Sequence, residues 1–182
     1  MTDTSNSMTK VRNLIIAGVA IALSITLIFA SQTKVNSQSL EAQAEKAIPL
    51  EMAINNGKPS LVEFYANWCT SCQAMAGDLA ELKQEFDGKI NFVMLNVDNS
   101  KWLPEILNYG VDGIPHFVFL NQTGDAMAET IGEQPLSIFE ENLMALLNSQ
   151  PLPYANSRGN ISAFNPDNNL QSGNQDNPRD HR

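Results

Sequence analysis

The two cysteines of this 182-residue chain, Cys69 and Cys72, are separated only by Thr70 and Ser71. A disulfide over so short a loop restricts the unfolded chain little, so the pair is poor staple material and chemistry is its better use. The residues before it read as a strand and those after it as a helix. That places the first sulfur at a helix N-terminus, where unpaired backbone N–H groups and the macrodipole favour an anion. Lowering a thiol pKa from ~8.5 to ~7 corresponds to ~2 kcal/mol of preference for the thiolate. Cys69 is then the attacking sulfur, and Cys72, one turn further in, resolves the mixed disulfide formed with a partner. Two other uses compete. A zinc site needs four ligands, and beyond the cysteines the chain offers only His116 and His181. A purely structural disulfide meets the loop-length objection. The pattern therefore points to thiol–disulfide exchange with no metal and no cofactor.

Glu63 lies six positions before Cys69, between Val62 and Phe64. It either faces water from an edge strand or, sharing a side with Leu61 and Tyr65 by alternation, is partly buried. A buried carboxyl has a raised pKa and can relay a proton to or from the resolving thiol. Gly113-Ile114-Pro115 immediately precedes a strand, where an ordinary proline interrupts the ladder. A cis Ile114–Pro115 bond brings this loop against the cysteines and leaves the Ile114 backbone free to pair with a substrate strand. Base frequency alone favours trans. Trp68, Ile114 and Pro115 are the candidate partner-binding residues. His116 can titrate near neutrality, although a surface or packing role competes. Met75, Met94 and Met127 read as core filler.

These residues need elements to hold them. Ser31 to Ala47 is polar and alanine-rich, a partly helical linker, and Leu50, Ala53 and Ile54 form a short amphipathic segment. Ser60 to Ala66 is a strand. Cys72, Met75, Ala76, Leu79, Leu82 and Phe86 then recur at helical spacing. Ile90 to Val97 is apolar on both faces, which suits an interior strand. A short helix carries Trp102, Leu103, Ile106 and Leu107 and ends at Gly110. Phe117 to Leu120 and Ala126 to Ile131 make a hairpin, and Pro135 suits the first position of a last helix. Alternating strands and helices imply a central sheet with helices on both faces.

Charge and hydropathy divide the rest. Between residues 35 and 150 five lysines face 16 acidic side chains, a balance of −11. Such a body repels phosphate backbones and makes nucleic acid an unfavourable partner. Leu14 to Ala30 is a run of 17 uncharged residues, the lower limit for crossing a hydrocarbon core of ~30 Å. A cleaved signal competes, with a passable site at Val35-Asn36-Ser37. Lys10 and Arg12 precede the run and only Lys34 soon follows, so the N-terminus stays cytoplasmic and the remainder crosses. The expected organisation is a cytoplasmic tail over 1–12, a transmembrane anchor over 13–31, a linker over 32–47, one domain over 48–150 and a disordered polar tail over 151–182.

Leu61-Val62-Glu63-Phe64-Tyr65-Ala66-Asn67-Trp68-Cys69 resembles the strand and active-site approach of thioredoxins. Gly113-Ile114-Pro115 resembles their cis-proline loop, and Gly132 before the last helix also fits. The resemblance covers roughly residues 48–148. It implies an α/β thioredoxin fold, a central mixed β-sheet with helices on both faces, here preceded by a single transmembrane helix. It further implies a cis bond at Pro115 and Cys69 and Cys72 as the redox pair, with Glu63 where thioredoxins keep a buried acid, usually Asp. The block from Asn91 to Asn99 and the run from Gly113 to Phe117 are similar to the membrane-anchored thioredoxin-like branch of cyanobacteria and plant thylakoids. That branch moves reducing equivalents to lumenal proteins, including during c-type cytochrome assembly. The implied partners are protein disulfides or dithiols and an upstream thiol donor, on the periplasmic or thylakoid-lumen side. Departures are Thr70-Ser71 for the usual Gly-Pro, Tyr65 for a common Trp, and Met94 where many thioredoxins place a lysine near the acid. Losing that cation is expected to raise the Glu63 pKa further. The competing class is a binding module or assembly factor that uses the fold without cysteine turnover.

Overall fold

The computed structural model describes residues 4–163, and the chain divides into one unit up to Gln38 and a second from Ser39 onward. The first unit is a single helix, α1 (Thr4–Ser37). Its described apolar side chains, among them Leu14, Ile16 and Leu27, are exposed. The two hydroxyls of its uncharged run are satisfied by the helix itself: Ser24 donates to the Ala20 carbonyl at 2.8 Å and Thr26 to that of Leu23 at 2.8 Å. Among the described residues no helix is long and apolar enough to cross a membrane. The described side chains of α1 stop at Ile28, two residues short of the end of the uncharged run.

The second unit is built on five strands in the order β2-β1-β4-β5-β6. Strand β1 (Ser60–Tyr65) lies between β2 (Asn91–Asn96), parallel to it, and β4 (His116–Leu120), antiparallel. Strand β5 (Ala126–Ile131) completes the hairpin with β4, and β6 (Ser157–Arg158) adds parallel to its outer side. A separate pair joins β3 (Gly113–Ile114) to β7 (Ser162–Ala163). All six β1 residues are buried, as an interior strand covered on both faces requires. The sheet is mixed, and the order of β1, β2, β4 and β5 and of the main helices matches the sequence reading, which did not include β3.

The helices are α2 (Leu40–Lys46), α3 (Leu50–Ala53), α4 (Thr70–Glu85), α5 (Leu103–Asn108) and α6 (Leu136–Leu147). Phe139 of α6 meets Phe117 edge-on with ring centroids 4.7 Å apart, and Lys83 of α4 reaches Glu63. Helices α4 and α6 therefore cover the face carrying Glu63 and Phe117. Tyr109, just after α5, packs on Phe64 from the opposite face. Helix α6 begins at Leu136, with Pro135 at its N-cap rather than its first turn.

Four features differ from the expectations. The compact unit begins at Ser39, nine residues ahead of position 48. Helix α2 bears out the helical part of the expected linker but packs on the domain, since Leu40 and Gln43 are buried and the Gln43 amide donates to the Ala76 carbonyl at 2.7 Å. Met127 is exposed on β5 and fills no core. The stretch expected to be disordered from Pro151 holds β6 and β7. Asn142, fully buried in α6, accepts from the Tyr154 N–H at 3.0 Å and donates to its carbonyl at 3.1 Å. Asn156 and Gly159 N–H groups then donate to the Glu129 and Ile131 carbonyls. Backbone pairing rather than side-chain burial holds this segment, so no hydrophobic period announces it. Residues 164–182 of that tail lie outside the described residues.

Candidate redox site

The β1 strand ends at Tyr65, and a tight turn through Ala66, Asn67 and Trp68 delivers Cys69 to the N-cap of α4. The Cys69 backbone is extended there, as an N-cap requires, and its Sγ accepts from the Cys72 N–H at 3.0 Å. Cys69 and Cys72 form a disulfide, S–S 2.06 Å, with neither residue exposed. The helix-terminus placement agrees with the spacing argument, and both sulfurs are fully buried. The disulfide belongs to one buried cluster with Phe64, Val97 and Ile114. Trp68 and Thr70 are the open members of the motif, Trp68 being 49% exposed. Its indole N–H donates to the Asp98 carboxylate at 3.0 and 3.2 Å. Asp98 is a residue the sequence reading missed, because nothing in its spacing ties the loop after β2 to the loop before α4.

The Ile114–Pro115 bond is cis, as the resemblance implied and the base frequency did not. Ile114 is fully buried. Its backbone is not free for a substrate strand, since it pairs with Ser162 of β7.

Glu63 is 2% exposed at the centre of the sheet, so the water-facing reading is excluded. Burial pushes its pKa up, and Lys83 opposes that only in part. Lys83 Nζ stands 3.5 Å from Oε2, and neither carboxyl oxygen has a well-formed hydrogen bond among the described residues. The same ammonium donates to the Gln43 side-chain carbonyl at 2.7 Å and touches Met94 Sδ at 3.2 Å. Desolvation lowers the Lys83 pKa, against the pull of Glu63. The expectation that Met94 leaves the acid without a cation is therefore corrected. Met94 does oppose Glu63 across β1 and β2, but the cation comes from α4. The only sequence signal was a lysine on a helix whose neighbouring turn is apolar, too weak to select it.

His116 is 1% exposed, with its ring edge-on to Phe64 at 5.8 Å and Nε2 3.2 Å from Glu129 Oε2. Burial lowers its pKa, and the Glu129 carboxylate counters in part. It is a packed residue and not a surface one.

A helix-capping disulfide beside a cis-proline loop on a mixed sheet of this order is the architecture of a thiol–disulfide oxidoreductase. Residues 33–145 match the Thioredoxin family, and the chain belongs to it. It is similar to the thiol:disulfide interchange protein TxlA homolog of Synechocystis sp., 61% identical over 84% of this chain and 85% of that protein. It is 48% identical to the thiol:disulfide interchange protein TxlA of Synechococcus elongatus, over 100% of this chain and 95% of that one. The chloroplastic thioredoxin-like protein HCF164 of Arabidopsis thaliana is 44% identical over 69% of this chain and 48% of its own length. The protein is an enzyme of thiol–disulfide exchange, with protein disulfides and dithiols as its substrates.

Proposed function

We propose that Cys69 is the attacking sulfur and Cys72 the resolving one, in a domain that α1 anchors to a membrane. In the reductive direction the Cys69 thiolate attacks a partner disulfide, and one partner sulfur leaves as a thiolate that takes a proton. Cys72 then loses its proton and attacks Cys69 Sγ. The second partner sulfur leaves, and the Cys69–Cys72 disulfide forms. Two electrons have passed to the partner, and an upstream thiol donor restores the dithiol. The oxidative direction is the reverse. The observation that carries the assignment is Cys69 at the α4 N-cap, where its sulfur already accepts from the Cys72 N–H.

Glu63 is the proton relay for Cys72 in this reading. Its support is a buried carboxyl whose pKa burial raises and whose oxygens have no well-formed hydrogen bond among the described residues. Trp68 is the exposed partner-binding residue in this reading, and Ile114 and Pro115 join it once the edge that β7 occupies is free. The anchor is supported by the uncharged run Leu14–Ala30 and by the internally satisfied Ser24 and Thr26 hydroxyls. Lys10 and Arg12 ahead of the run favour a cytoplasmic N-terminus. The domain then works in a periplasm or thylakoid lumen, and the resemblance to the membrane-anchored branch adds c-type cytochrome assembly as its setting.

The test is a non-reducing gel of two variants from cells, with a mass measurement on any new band. Cys72→Ser removes resolution and traps covalent complexes with partners; Cys69→Ser traps none. Equal trapping by both, or trapping by Cys69→Ser alone, overturns the roles. Topology is checked by protease on the far side of the membrane, which digests residues beyond 31 and leaves the N-terminal tail. A soluble form starting near Gln38 would remove the anchor.

A further inference from the structure

A two-residue strand leaves backbone N–H and C=O groups along its edge that must find partners. At β3 the partner is the chain's own C-terminal segment, with Gly113 opposite Ala163 and Ile114 opposite Ser162, antiparallel. The segment is led there by fixed points. Gly159 N–H donates to the Ile131 carbonyl at 2.7 Å, and the Glu133 N–H donates to the Asn160 carbonyl at 2.8 Å. Arg158 Nη2 binds both Asp112 carboxylate oxygens, at 3.1 and 3.2 Å. The fit is close: a Cβ on Gly113 would come 2.7 Å from Ile161 Cδ1, and one on Gly159 would run into the Glu133 carbonyl oxygen. Ile114, whose edge is taken, shares the buried cluster of the disulfide, and Cys69 is wholly unexposed in this arrangement.

We propose that residues 160–163 are an intramolecular strap on the strand edge that an extended partner segment takes during exchange. The proposal rests on the exchange reading above. The occupant it fits is an extended peptide carrying a disulfide or dithiol, which pairs antiparallel with Ile114 and displaces β7. The strap suits displacement. It ends in two paired residues, Ile161 and Ala163 are exposed and Ser162 is half-buried, so it belongs to the least stable part of the fold. Its root stays attached, because β6 pairs with β5 and Arg158 holds Asp112. A partner that binds only the open form sees its affinity reduced by the open fraction. A strap closed in nine molecules of ten thus costs about 10-fold in apparent affinity.

The experiment compares four chains in detergent: the full chain, one ended after Ala163, one ended after Asn160, and the full-length Ser162→Pro, which lacks a strand N–H. Each, once reduced, is mixed with a linear peptide disulfide; each, oxidised, is separately reduced by dithiothreitol, which needs no strand edge. Thermal melts confirm folding. The chain ended after Asn160 and Ser162→Pro should exchange with the peptide roughly 10-fold faster than the other two, at a common dithiothreitol rate. Equal peptide rates across all four overturn the strap. A matching rise in the dithiothreitol rate also overturns it, since that marks a loosened disulfide. Peptide exchange absent from every chain sinks the exchange reading, and the strap with it.

Discussion

Glu63 and His116 occupy neighbouring strands of one sheet, are almost equally buried, and lie on opposite faces. Glu63 pairs across the sheet with Phe117 while His116 pairs with Phe64. What differs is the counter-charge. Glu63 faces Lys83, itself only 18% exposed and held by Gln43. His116 faces Glu129, which is 40% exposed. In both cases desolvation is the leading influence and favours the neutral form. The dry pair can pass a proton between two buried groups. In the second pair the carboxylate is open to water, and the ring itself serves packing. Equal burial thus gives unequal chemistry, decided by where the partner's charge sits.

The largest effect that sharpens this contrast is expected from Glu63→Ala. Resolution of mixed disulfides near pH 7 should slow by roughly 100-fold, the low end of general acid–base contributions. Alkylation of Cys69 should change little. Stability has a definite sign: a carboxyl whose folded pKa is raised binds more protons folded than unfolded, so its contribution falls as pH rises above the ordinary value of 4.5. The variant should therefore gain on the parent above that pH in thermal melts. Unchanged turnover over pH 6–9 would assign Glu63 to packing alone.

Lys83→Met is expected to act next, and through Glu63. Without the ammonium the carboxyl keeps its proton to higher pH, so the pH profile of resolution should move upward. Removing one partner of a buried pair costs about 3–5 kcal/mol, and here protonation of Glu63 absorbs part of that. The cost should shrink as pH falls, because the neutral acid no longer needs a cation. A profile identical to the parent's would show that the ion pair has no hold on the reaction.

His116→Phe should be the mildest. A histidine with a lowered folded pKa binds fewer protons folded than unfolded, so it withholds stability as pH falls below its unfolded value of ~6.5. The variant should flatten the acid side of the melting profile and leave disulfide exchange within about twofold, a change of under ~0.5 kcal/mol in the barrier. A large loss of exchange would break the contrast and move His116 into the site.

Much of the fold was legible because each element's own periodicity reports it. The 3.6-residue spacing from Cys72 to Phe86 marked α4, and the apolar run from Ile90 to Val97 marked β2 as interior. The Cys-x-x-Cys spacing at a strand–helix junction determined the disulfide and its place at a helix N-cap, since both follow from local backbone geometry. The alternation in β1 put Glu63 with Leu61 and Tyr65, which left only its degree of burial to be learned. Tertiary structure alone decided the rest. Lys83 meets Glu63 because α4 crosses the sheet at the height where β1 carries its acid. Asp98 meets Trp68 because two loops end at the same edge. The cover on Ile114 comes from Ser162, 48 residues further along the chain, joined by backbone hydrogen bonds that any residue type can make. Periodicity describes which side of its own element a residue faces; which distant group it meets there depends on strand order and helix crossing, and no local pattern encodes either.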